Sequence, residues 1–464
     1  MPNQKSQGSI LIFCVIILFI FSLVMLSLLS YATTQLRVIR GTINGESAFQ
    51  IAEAGVNYYE WHLAHFTTDY ADGTGATGCN PCGPYVHTFT DIQSGQAIGQ
   101  YSLKITPPLV GSTVVTVQST AYTYANPNQK KTVTVRYGIP SLAQYSFLTN
   151  SDAWIGSSES VSGKFFTNGG LRFDGTGNAP IMSAKTTYTC TSTFGCSPNQ
   201  IKAGIWGSAP AATQNFWSFP QPNIDFSSIT ANLATMKASA QSAGIYLAPS
   251  NKQGYSLVFK SDGTIDFYKV NTLLSEPSGQ DVDGTTHNTS IDYNSRTFLY
   301  NRTIPSNGIV YAEDNLWVEG TVKGRVMVGA AILPQPATPP NIMIPNSIVY
   351  AAKDGTNVLG LLSQGDVLAT YQSPNNFEID GALIAQTGSV ERYYYGGNTK
   401  TSITVYGSTA SYGTWTWSWV DGSGNCTSGY CTTNTTYDSN LLYSPPPSFP
   451  LSASGYDQLS WSSN

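Results

Sequence analysis

Four histidines stand in the chain, His62, His65, His87 and His287. No G-x-S-x-G elbow, P-loop or H-E-x-x-H motif accompanies them. His62-x-x-His65 and Cys79-x-x-Cys82 together form a nominal tetrahedral zinc set, since His at i and i+3 share a helix face. Cys79-Asn-Pro-Cys82 sits in a Gly-rich stretch, however, where a local disulfide is the ordinary outcome. A redox role lacks the surrounding βαβ pattern. Asp281-Val-Asp283-Gly284 opens like a calcium loop, yet Thr286 stands where Gly is needed and Asp292 where Glu is needed. Asp281 and Asp283 are therefore weak metal candidates, and a solvated loop is the plainer reading. Glu378 and Asp380 fall on one face of a short strand, as a polysaccharide lyase or hydrolase would need. A turn corner at Gly381 explains them equally well. No catalytic residue and no cofactor is assigned, with calcium kept as the minor alternative, and the chain reads as non-enzymatic.

Aromatic side chains offer more. Tyr393, Tyr394 and Tyr395 are consecutive, and Trp415, Trp417 and Trp419 alternate. Flat rings with a polar edge can stack on sugars or anchor a protein partner. The competing reading has the three Trp capping the apolar end of the fold. Apart from Cys14, the cysteines form three close pairs: Cys79 with Cys82, Cys190 with Cys196, and Cys426 with Cys431. Local pairs on loops rich in Gly, Asn and Ser suit disulfides, which persist outside the cytoplasm.

The composition narrows the class. Over 464 residues only 11% are charged, while aromatics reach 12% with 28 Tyr. Ample apolar area excludes intrinsic disorder, and the scarcity of charge excludes a coiled coil. A net charge of −5 without a basic cluster argues against nucleic acid as partner. What remains is a β-rich, extracytoplasmic protein of two or three domains.

Residues 10–29 carry no charge and only Ser22 and Ser27 as clearly polar interruptions. At 1.5 Å per residue such a run spans about 30 Å, the thickness of a hydrocarbon core. It is too long for a removable secretory signal. Lys5 lies before it, with Arg37 and Arg40 after it, so positive charge barely orients it. The paired cysteines place the N-terminus inside and the bulk outside. Apolar spacing continues through Leu36, Ile39 and Ile43, then Ala48, Ala52, Val56, Tyr59, Leu63 and Phe66. Gly41 and Gly45 predict a bend or a melted stretch between the two runs.

Gln7-Gly8-Ser9 directly before the apolar run resembles a prepilin-type leader cut between Gly8 and Ser9. The run 46–58, with Ala48-Phe49-Gln50-Ile51-Ala52-Glu53-Ala54-Gly55 at its centre, is similar to the signature of the PilX-type N-terminal domain of type IV pilus assembly proteins. Gln7 replaces the basic residue commonly found before the Gly. Phe13 replaces the Glu at the fifth mature position, which resembles minor, tip-type members of the GspK and PilX kind. The resemblance implies pilin-like assembly through the N-terminal helix, with other pilins and pilus assembly proteins as partners.

Alternating residues over 101–105, 113–122 and 131–137 predict an antiparallel sheet for the helix to cover, with turns near Pro108 and at 126–129. From about residue 143, short apolar triplets recur between Gly and Asn corners. Strands so short bury a face only when stacked, which predicts a right-handed parallel β-helix with rungs of irregular length; a β-sandwich is the alternative. Asp225 is the expected N-cap of a helix closed by Gly244, residues 254–270 the expected hairpin, and 271–307 an expected loop region. The organisation is thus a leader over 1–8, a transmembrane helix over 9–32, and a pilin-like helix and sheet over 33–138. A β-helix head follows over 139–435 with an insertion over 190–307, then a Pro-rich tail over 436–464. The resulting expectation is a minor pilin-like, single-pass membrane protein. Its rival is a surface adhesin or glycan-binding β-helix that meets a glycan or host ligand.

Overall fold

The computed structural model describes residues 7–275, 277–421, 424–452 and 454–464, with side chains from residue 10 onward except 227–232. Most of the leader expected over 1–8 lies outside the described residues. Two compact units are present, one made of residues up to Pro107, Val115–Tyr137 and Gln458–Asn464, the other of Pro108–Val114 and Gly138–Asp457.

The first unit is built on a single helix, Gln7–His65. At 1.5 Å per residue it is about 90 Å long. It runs unbroken through Gly41 and Gly45, so the expected melted stretch is absent. Backbone hydrogen bonding carries it past the glycines, each of which costs only about 1 kcal/mol against Ala. Ala48, Ile51, Ala52, Val56, Tyr59 and Leu63 step by three and four and are all buried. They meet an antiparallel sheet of Cys82–Thr90, Ala97–Thr106, Val115–Thr123 and Asn126–Gly138, whose inward Leu103, Ile105, Val115, Val117, Val133 and Val135 are inaccessible. The hairpin turn falls at Tyr124 and Ala125 instead of 126–129, which are paired in the strand. The strand Asp457–Ser463 completes this sheet next to Asn126–Gly138. The end of the expected tail is therefore a sheet strand, held by reciprocal Thr132–Asn464 backbone bonds and by Trp461 edge-on to Phe49 at 5.9 Å.

Short strands dominate the second unit, and they pair in parallel. On one face the spatial order is Ile245–Leu247, Ile309–Ala312, Arg325–Ala330, Val358–Ser363, Asn376–Ala385 and Thr399–Ser411. Next to Thr399–Ser411 comes Phe147–Thr149, followed by Phe165–Thr167, Ile181–Ser183 and Trp217–Ser218. Parallel neighbours joined by crossovers make a β-helix-like stack and exclude the antiparallel sandwich. At a corner, Gly381 and Gly407 are in register, and a Cβ on Gly407 (φ 147°) would lie 2.7 Å from the Gly381 carbonyl carbon. Only Gly allows rungs to close there.

Chain order and stack order differ. The earliest rungs, from Phe147 to Trp217, sit beyond the latest ones, so the chain enters the stack in its interior. Helix Ser227–Ala243 carries it back toward the opposite end. Its length of about 25 Å matches roughly five rungs at 4.8 Å. Leu233, Met236 and Ala240 pack on Ile309, Tyr311 and Met327. Phe226, not Asp225, occupies the N-cap, while Gly244 ends the helix as expected. The hairpin Gly254–Phe259 and Thr264–Val270 forms as expected, and Thr297–Thr303 adds a third antiparallel strand where loop was expected. Pro445, Pro446 and Pro447 are buried, and Arg325 Nη2 donates to the Ser444 and Pro445 carbonyls at 2.8 and 2.7 Å. A buried triple Pro braces the stack and leaves no exposed recognition segment.

Candidate functional site

Every described side chain from Ile10 to Arg40 is exposed, including Phe13, Phe19, Phe21 and Leu29. An apolar surface this long and continuous is unlike that of a soluble monomer and is long and apolar enough to cross a membrane. The hydroxyls that interrupt it are satisfied within the helix. Ser22 Oγ donates to the Phe19 carbonyl and Ser27 Oγ to the Val24 carbonyl, each at 2.7 Å. Such bonds remove the cost of placing a free hydroxyl in hydrocarbon. Gly8 and Ser9 lie in the first turn of this helix.

Where exposure ends, close packing begins. A Cβ on Gly55 would fall 2.7 Å from the Tyr101 ring and closer still to Ser119 Oγ. One turn earlier, Gly99 of the sheet meets the helix as closely, since its Cβ would lie 2.7 Å from Ile51 Cδ1. The Ala-Glu-Ala-Gly run is thus the place where helix and sheet approach most tightly, and small residues are a packing requirement there.

The zinc set does not assemble. Cys79 and Cys82 form a disulfide, with Cα atoms 4.9 Å apart. His62 Nε2 pairs with Asp69 Oδ2 at 3.1 Å, while His65 Nδ1 bonds the Trp61 carbonyl at 2.8 Å. Burial raises the Asp69 carboxyl, but the Ala71 and Gly73 amides and His62 outweigh it and leave it below the usual range.

The other two cysteine pairs are also disulfides. Cys190 is joined to Cys196 with a Cα separation of 5.6 Å, and Cys426 is joined to Cys431 with one of 5.5 Å. Their setting differs from the expected loops. Cys190 ends the strand Thr187–Cys190, and Cys196 is buried beside it in a small cluster with Tyr188, Phe194 and Trp206. Cys426 and Cys431 both belong to the strand Cys426–Tyr437 and are half-buried. Polar neighbours in sequence suggest loops, and Cys196 does lie in one, whereas strand pairing takes Cys190, Cys426 and Cys431 into sheets.

Neither acidic candidate forms an open site. Asp281 caps a turn: its Oδ1 accepts from the Asp283 and Thr285 amides, and its Oδ2 pairs with His287 at 2.8 Å. Glu378 and Asp380 both pair with Lys353, at 2.7 and 2.9 Å, and Asp380 Oδ2 also accepts from the Tyr350 amide.

Four of the six aromatic candidates are not surface groups. Trp415 and Trp417 are buried in the main core of the stack, where inward positions take large apolar side chains, while Tyr393 and Tyr395 are buried in a separate cluster with Ile291, Trp317, Met343 and Leu368. Tyr394 and Trp419 keep partial exposure and meet edge-on at 5.8 Å. Reading alternation alone could not separate inward from outward rings.

Spacing carries no hint of two adjacent, buried ionisable side chains. Glu391 and Arg392 are both almost wholly enclosed, and Glu391 Oε2 has no hydrogen-bond partner among the described residues. Burial, followed by the charges of Asp366, Asp281 and Asp283, pushes the Glu391 carboxyl up to about 9. Arg392 lies over Tyr395 at 4.7 Å and Tyr430 at 5.8 Å, and burial lowers its pKa. A cleft of about 950 Å³ in the second unit is lined by Asn150, Asn168, Lys185, Asp225, Gln386 and Tyr412 among others.

Residues 7–57 match the family model described as PilX N-terminal. No curated protein matches the chain. Among solved structures, the competence-associated pilin ComZ from Thermus thermophilus is similar at 11% identity, over 91% of this chain and 98% of that one. Its TM-score of 0.30 carries no argument about fold. The exposed apolar helix and the start of its tightly packed foot are thus the part of the chain that is similar to the PilX N-terminal model, with the run Ala48–Gly55 inside the match.

Proposed function

We propose that this chain is a non-enzymatic, minor pilin-like component of type IV pilus assembly. The carrying observation is the unbroken helix whose first half is wholly exposed and apolar and whose second half is a PilX N-terminal foot buried on an antiparallel sheet. Such a helix rests in the membrane and associates laterally with other pilin helices through van der Waals contact. The three disulfides favour an extracytoplasmic location for both units and a cytoplasmic N-terminus. Phe13 in place of an acidic residue favours a minor role over a filament-building one. Ion pairing of Glu378 and Asp380 with Lys353 favours a structural use of those carboxylates over hydrolysis.

Co-expression with a prepilin peptidase, followed by mass spectrometry of the purified chain, tests the reading. A mature protein beginning at Ser9 is expected. An intact N-terminus would favour a plain membrane anchor and a surface adhesin.

A further inference from the structure

Where the earliest rungs meet the latest, the second unit carries a cleft of about 540 Å³. Trp154, Arg172, Phe194, Trp415, Thr416 and Trp419 line it. That volume suits a small ligand held by apolar walls and a few placed polar groups. The walls come from segments far apart in sequence, which is why no local motif announces them.

The aromatic walls are fixed in orientation. Trp154 Nε1 donates to Asp174 Oδ2 at 2.9 Å, and Trp419 Nε1 donates to the Arg392 carbonyl at 2.8 Å. Arg172 lies 4.1 Å from the Trp154 ring centroid, donates through Nε to Asp174 Oδ2 and through Nη1 to the Phe194 carbonyl. Its charge is thereby matched, so the cleft has little to offer an anion. Trp415 is 8% exposed, and its indole N–H has no acceptor among the described residues. That N–H is itself enclosed, so Trp415 contributes its ring to the wall of the cleft.

We propose that this cleft binds a neutral oligosaccharide. The sugar's pyranose rings would present their C–H faces to the partly exposed Trp154 and Trp419. Hydroxyls of Ser192, Thr193 and Thr416 surround the rings, and sugar hydroxyls both donate and accept. An anionic peptide would find the lining's one guanidinium, Arg172, already paired with Asp174. Sugar binding does not depend on the helix assembling with pilins, so its failure would leave that reading intact.

Titration of the full chain in a sugar-free detergent, by Trp fluorescence and calorimetry, provides the test. Maltohexaose, cellohexaose and chitohexaose serve as probes. At least one should bind saturably, about tenfold more weakly after Trp419→Ala, which removes one of the two partly exposed stacking rings. Thr193→Trp, at an exposed position of the rim, should fill the cleft and abolish binding with an unchanged melting temperature. Failure of all three sugars to bind, or binding that Thr193→Trp leaves intact, overturns the proposal.

Discussion

Gly55 sets how closely the N-terminal helix lies on its sheet, because any Cβ there meets Tyr101 and Ser119. Gly55→Val should destabilise the first unit by about 1–3 kcal/mol through overpacking. Gly41, with nothing within 4 Å, provides the contrast. Gly41→Ala should leave the denaturation midpoint of the detergent-solubilised chain unchanged or raise it slightly. Glu391 makes the second residue-level prediction. Its folded pKa of about 9 lies above the ordinary value of 4.5, so the folded state holds a proton that the unfolded state gives up. Stability therefore falls as pH rises from about 4.5 to 9. Glu391→Gln keeps shape and neutrality, and should raise stability at pH 8 by about 1–3 kcal/mol while flattening that slope. Denaturant titrations at pH 5 and pH 8 would read both effects.

At the scale of elements, two helices have opposite tasks. The N-terminal one is legible in sequence, since twenty uncharged residues followed by a three-and-four apolar spacing have few other readings. The return helix Ser227–Ala243 is legible as a helix through Leu233, Met236 and Ala240, but its purpose is not. Nothing local says that it must climb about five rungs. Leu233 is wholly buried against the stack. Leu233→Asp buries a carboxylate without a partner and should cost more than about 3 kcal/mol. Protease sensitivity of the hairpin over 254–270 should rise in that variant. Strands at sheet edges were the hardest elements to read. Cys82–Thr90 and Asp457–Ser463 are mostly exposed, so their burial pattern carries little of the apolar alternation that marks an inner strand.

Over the whole molecule, sequence texture distinguishes a helix-on-sheet unit from a stack of short parallel strands. The order of that stack is invisible to it. Pairing of Thr409 with Phe147 joins residues more than 250 positions apart, and only three-dimensional closure creates it. The same closure brings Trp154 and Trp415 to one cleft and hides Tyr393, Tyr395 and Trp417, whose roles local spacing leaves open. Disulfides were easier, because Cys79 and Cys82, Cys190 and Cys196, and Cys426 and Cys431 are each at most six residues apart. These features bear on function through the proposed arrangement, a lipid-embedded helix bearing disulfide-bonded units on the outer side of the membrane. Protease treatment of intact spheroplasts, with thiol labelling of the membrane fraction, measures it most directly. The account predicts a chain that resists alkaline extraction, loses everything beyond about residue 33 to external protease, and has Cys14 as its free thiol. A readily extracted protein, shielded from protease and with all its cysteines reduced, would contradict it.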